Sequence, residues 1–144
     1  MSFPFLNRKE IIMSCTSAMQ ATNTIPQDVD IGGTVNFGTV VRRYGKNINL
    51  VGGNVVTNGI GYYKHDMTVD FTGAAGDTIL QAYENGVAIP GARVVRTTGA
   101  GTVYSITMPT FITRNKCCNE KAITLEISGA AVTDLIANVT SVKI

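Results

Sequence analysis

The sequence predicts an all-β domain with antiparallel pairing, a sandwich or a barrel, and three observations carry that reading. From residue 31 onward, β-rich segments alternate with turn signals at short intervals, and all 15 glycines lie in that stretch. Within residues 60–72, Tyr63, His65, Met67, Val69 and Phe71 share one face while Tyr62, Lys64, Asp66, Thr68 and Asp70 share the other, a period of two that marks a half-buried strand. No segment after residue 31 has helical periodicity, so no βαβ unit can be built. At 144 residues the chain has the size of one domain and can bury a real core.

The elements follow in order. Residues 1–30 contain three of the five methionines, no glycine, and the apolar set Phe3, Phe5, Leu6, Ile11 and Ile12, which sets them apart as an amino-terminal arm. The arm is extended or partly helical, a short helix over 7–19 being signalled by Asn7 as N-cap and Glu10 three residues later. Residues 31–144 form the β domain, with eight or nine strands expected. Candidate strands are 34–44, 47–51, 55–57 and 60–72, then a loop over 73–77 and a strand over 78–84. Asn85-Gly86 is a hairpin signal, because both residues tolerate the positive φ of a type I′ turn. The returning strand, 87–89, is interrupted by Pro90-Gly91 and resumes over 92–97; a proline there argues for an edge or a bend. Extended pieces over 103–108 and 110–113 flank Pro109, and strands over 121–128 and 135–144 close the domain.

Charged residues make up 15% of the chain, against about 25% in ordinary soluble proteins. Mean hydropathy is slightly positive at +0.16. So neutral a surface is either covered by partner subunits or made of small polar Ser, Thr, Asn and Gly residues of the kind that suits extracellular or virion proteins; the first reading favours oligomerisation. The net charge of +2 is spread over scattered basic residues such as Arg42-Arg43, with no basic stripe and no aromatic platform, which speaks against nucleic acid as a partner. No apolar run approaches the length of a membrane span and no signal-peptide layout opens the chain, so no membrane partner and assembly in a cytoplasm are expected. Three cysteines, Cys15, Cys117 and Cys118, have no disulfide-framework spacing.

Candidate chemistry is sparse. His65 is the one histidine, which excludes metal sites needing two, and its place on an alternating strand reads as packing. Cys117-Cys118 lacks a CxxC partner and reads as a pair of reduced thiols supporting a loop. Asp28, Asp30, Asp66, Asp70 and Asp77 follow no calcium-loop spacing. Gly32-Gly33 and Gly52-Gly53 lie between extended segments and are turn glycines, with no phosphate loop or nucleophile elbow nearby. We therefore expect no catalytic residue, no metal and no cofactor.

With the strands laid out, Gly61-Tyr62-Tyr63-Lys64-His65, the stretch around Leu80, Asn85-Gly86 and Ile89-Pro90-Gly91, and the late loop Arg114-Asn115-Lys116-Cys117-Cys118 are together distinctive. Over roughly residues 45–144 they resemble the C1q/TNF-like jelly rolls, and in particular the short C1q-like proteins of phages and prophages, related to the carboxyl-terminal domain of spore-surface collagen-like glycoproteins. His65 stands where C1q-like strands usually carry phenylalanine. The resemblance implies a ten-stranded type of sandwich, three copies around an axis, and a role on a surface without catalysis. Tyr62, Tyr63 and His65 are the expected trimer contacts, and Phe3, Phe5, Leu6, Ile11 and Ile12 the expected contacts of the arm with a capsid or other virion protein, the other reading of the Phe3, Phe5, Leu6 cluster being an end that folds back on its own domain. The function expected is a bacteriophage capsid-decoration or head-fibre module located on the virion. A receptor-binding or glycan-binding tip of a tail or baseplate is the alternative, and it would call for exposed loop aromatics.

Overall fold

The structure, a computed structural model, describes residues 16–116 and 119–144. Twelve strands occupy them and no helix does: β1 (Ala18–Thr22), β2 (Gln27–Val29), β3 (Thr39–Tyr44), β4 (Ile48–Val51), β5 (Asn54–Thr57), β6 (Gly61–Gly73), β7 (Gly76–Glu84), β8 (Val87–Thr98), β9 (Val103–Thr107), β10 (Phe111–Asn115), β11 (Lys121–Ser128) and β12 (Val132–Lys143). One sheet runs β10-β6-β12-β1-β3, with β9 also on β6 and β2 also on β12; the second runs β4-β5-β11-β7-β8. Every pairing between named strands is antiparallel.

Two strand positions in the first sheet are each filled by two pieces, so the sandwich has ten positions although twelve strands are present. β9 and β10 lie end to end along β6, opposite Thr68–Thr72 and Gly61–His65, and the break falls at Pro109, which has no N–H to donate. β1 and β2 lie end to end along β12. Asn23 bridges the gap between them: its Oδ1 accepts from Ala137 N at 2.7 Å and its Nδ2 donates to Leu135 O at 2.7 Å, so a side chain supplies what the backbone there cannot.

The inward face of β6 is the one the alternation points to. Tyr63, His65, Met67, Val69 and Phe71 are all buried. Tyr63, Met67, Val69 and Phe71 share one continuous core with Leu80 and Ala82 of β7 and Ile123, Leu125 and Ile127 of β11. Each large side chain so buried contributes roughly 1.5 to 3 kcal/mol. Asn85 and Gly86 have φ of 47° and 80°, the two left-handed residues that a type I′ turn requires, and Glu84 faces Val87 across the hairpin.

Three expectations are corrected. The arm does not extend to residue 30: β1 lies between β12 and β3, Met19 and Ala21 are buried in the core, and β2 pairs with β12. The missing glycines set residues 16–30 apart in composition, yet Met19 and Ala21 at alternate positions suffice to seat a strand. Residues 16–19, the described end of the expected helix over 7–19, are likewise not helical. Finally, Pro90-Gly91 does not interrupt β8. That strand is a sheet edge, and a register shift between Gln81 and Tyr83 opens room that Gln81 Nε2 fills by donating to Ile89 O at 3.0 Å and Ala92 O at 3.2 Å.

Candidate interaction surfaces

The outward face of the first sheet follows from its registers, because residues paired across neighbouring strands point the same way. One row reads Tyr44, Ala18, Val142, Lys64, Ile112 from β3 to β10. The next reads Arg42, Gln20, Thr140, Asp66, where Thr110 donates to Asp66 Oδ1. Beside the first row, Tyr62 is 47% exposed and carries the Arg114 guanidinium 5.3 Å above its ring. Tyr44, Tyr62, Ile60, Ile112 and Ile144 are all exposed in the single chain, which leaves this end of the face rich in apolar area. A shallow groove of about 450 Å³ runs between β1 and β3 past Arg42 and Tyr44. Another, of about 600 Å³, opens at the opposite edge between Val87, Pro90 and Ile112.

β3 is unusual in that all six of its residues are exposed. It is held by its ladder to β1 and contributes nothing to the core, so its Val40, Val41 and Tyr44 are exposed in the single chain.

Of the expected trimer contacts, Tyr62 alone lies on this outward face. Tyr63 and His65 are each 0% exposed and point into the protomer, which corrects their assignment to an interface. The Tyr63 hydroxyl reaches Asn58 O at 2.7 Å and Gly59 O at 2.8 Å, and burial raises its pKa. His65 Nδ1 lies 2.7 Å from Ser141 Oγ and Nε2 lies 2.8 Å from Thr113 Oγ1, while its ring stacks on Phe111 at 5.1 Å. A hydroxyl can donate or accept, so either neutral tautomer is satisfied. Burial pushes the imidazole down to about 4, against a smaller upward pull from Asp66. Although Ser141 and His65 are in contact like a nucleophile and its base, both are fully buried, and no substrate can reach them.

The expected arm contacts Phe3, Phe5, Leu6, Ile11 and Ile12, and the cysteines Cys15, Cys117 and Cys118, lie outside the described residues. Beside that last pair, Asn115 anchors the loop: its Nδ2 donates to Thr57 O at 2.9 Å and to Asn119 O at 3.1 Å, and Thr57 Oγ1 donates to its Oδ1 at 3.0 Å. The acids are dispersed, Asp28 accepting from Asp134 N and Asp77 from Thr97 Oγ1. Among the described residues no three His, Cys, Asp or Glu groups converge as metal ligands.

Sequence reasoning missed Tyr44, Ala18, Val142 and Ile112 as members of one outward row. The alternation of β12, with Leu135, Ala137, Val139 and Ser141 buried, contains the signal that Val142 faces the other way.

Two antiparallel sheets in this order define a TNF/C1q-like jelly roll. Solved structures of that fold align along most of their length and most of this chain. Murine APRIL at pH 5.0 matches at TM-score 0.68 and 15% identity, covering 90% of this chain and 99% of its own. The globular domain of zebrafish complement 1qA matches at 0.68 and 11%, covering 90% and 97%. PRD1 vertex protein P5 matches at 0.62 and 15%, covering 89% and 96%. None of the three is named for a catalytic activity. No protein-family model matches the chain, and no curated protein matches its sequence.

Proposed function

We propose that this chain is a bacteriophage virion structural protein, a homotrimeric capsid-decoration or head-fibre module. The observation that carries the reading is its likeness to PRD1 vertex protein P5 over 89% of this chain and 96% of that one. The exposed apolar end of the first sheet supports trimerisation, since Tyr44, Tyr62 and Ile112 would otherwise stay in water. With β1 and β2 part of the sandwich, attachment falls to residues 1–15, whose Phe3, Phe5, Leu6, Ile11 and Ile12 would bury against a major capsid or other virion protein. The jelly roll is then displayed outward, and chemistry plays no part.

The test uses purified protein with and without residues 1–15, added to particles that lack it. Full-length protein is expected to sediment at three times 15.3 kDa and to decorate the particles. The truncated protein should remain a folded trimer and bind none. A stable monomer at micromolar concentration, or full decoration by the truncated form, refutes the reading.

A further inference from the structure

The two ends of one cross-strand row carry opposite charge. Arg42 stands on the edge strand β3, exposed; Asp66 stands on β6, next to the opposite edge, partly exposed and with its Oδ1 engaged by Thr110. Gln20 and Thr140 lie between them in the same row, so within one protomer the two are three strand spacings apart, about 14 Å, too far to pair. The neighbouring row has the same polarity in apolar terms, with Tyr44 at the β3 end and Ile112 at the β10 end, both about half exposed.

We propose that Arg42 of one protomer pairs with Asp66 of the next in a head-to-tail ring, and that this pair sets how high adjacent protomers sit along the axis. The inference rests on the homotrimer proposed above. A closed ring brings two different patches of the same chain together at every interface, so a row whose ends complement each other can close on itself. The occupant of the β3 edge is accordingly a second copy of this chain. Lys64 lies on the same face as Asp66, two residues along β6, while Arg114 is drawn onto Tyr62. A slip by one row would set Arg42 against Lys64 and bring like charges together. The charge pattern thus disfavours the neighbouring register as well as favouring the correct one. Asp70, the other acid on that face of β6, is paired with Ile136 in a row that does not reach β3, so it cannot substitute.

Charge-reversal variants of the full chain test the pairing by analytical ultracentrifugation at low salt. Arg42→Asp and Asp66→Arg are each expected to weaken association by about tenfold per interface, and the double variant is expected to recover most of that loss. Thr110→Val, which removes the bond to Asp66 and keeps its charge, should leave association within about twofold of wild type. Far-ultraviolet circular dichroism separates loss of association from loss of fold. A wild-type trimer that both single variants leave intact, or a double variant no tighter than the singles, overturns the pairing and leaves the trimer standing. A monomeric wild-type protein overturns both.

Discussion

Replacing His65 by phenylalanine should remove much of the protein's acid sensitivity. In the folded chain the imidazole is held neutral down to about 4 by burial, whereas in the unfolded chain it titrates near 6.5. Its folded value lies below its unfolded one, so between those values the unfolded state binds more protons, and stability falls as pH drops through that window. At about 1.4 kcal/mol per unit, the shift amounts to about 3 kcal/mol once the pH is below both values, and most of it is already lost at pH 4.5. The assay is equilibrium urea unfolding of both proteins at pH 7.5 and pH 4.5, at one protein concentration because assembly contributes to stability. His65→Phe leaves Ser141 Oγ and Thr113 Oγ1 without their ring partner, a cost of about 2 kcal/mol or more. Neither hydroxyl titrates, so that cost is the same at both pH values. The difference between the two pH values should be smaller in the variant by about 2 to 3 kcal/mol. Equal pH dependence in the two proteins would refute the burial of a neutral histidine in this core.

Other expectations are simpler to check. Gly86→Val places a β-branched side chain at φ 80° with nothing within 4 Å of the added Cβ, so its cost is backbone strain of about 1 to 2 kcal/mol and a melting temperature lower by several degrees; no change would mean that the turn has another form. Asn23→Ala removes two bonds into β12 and should cost about 3 kcal/mol in denaturant unfolding, whereas a loss below 1 kcal/mol would show that the gap between β1 and β2 needs no side-chain bridge. Replacing Cys117 and Cys118 by serine, or adding a chelator or a reductant to the native protein, should leave the melting temperature unchanged; unfolding by either reagent would make the thiols a metal clip or a disulfide.

The residues explain why some of the architecture was legible and some was not. The period of two from Tyr63 to Phe71 and the Asn85-Gly86 pair are local signals, each tied to one backbone geometry, and both appear in the fold as read. β1 and β2 were hidden because a strand that buries only Met19 and Ala21, followed by one of three residues, carries too short a pattern to outweigh a change in composition. The same alternation that placed Tyr63 and His65 beside Met67 also implied their burial, which their assignment to a subunit contact overlooked. Arg42 and Asp66 could not be aligned from sequence at all, since their relation depends on the registers of three strand pairs far apart in the chain.

A reconstruction of the phage particle encoded together with this chain tests the central claim most directly. The account predicts three copies around an axis on the particle surface, with the Tyr44 and Ile112 ends of adjacent first sheets in contact and residues 1–15 against a capsid or other virion subunit. Density for isolated protomers, trimers attached through the jelly roll, or purified virions without this chain would contradict it.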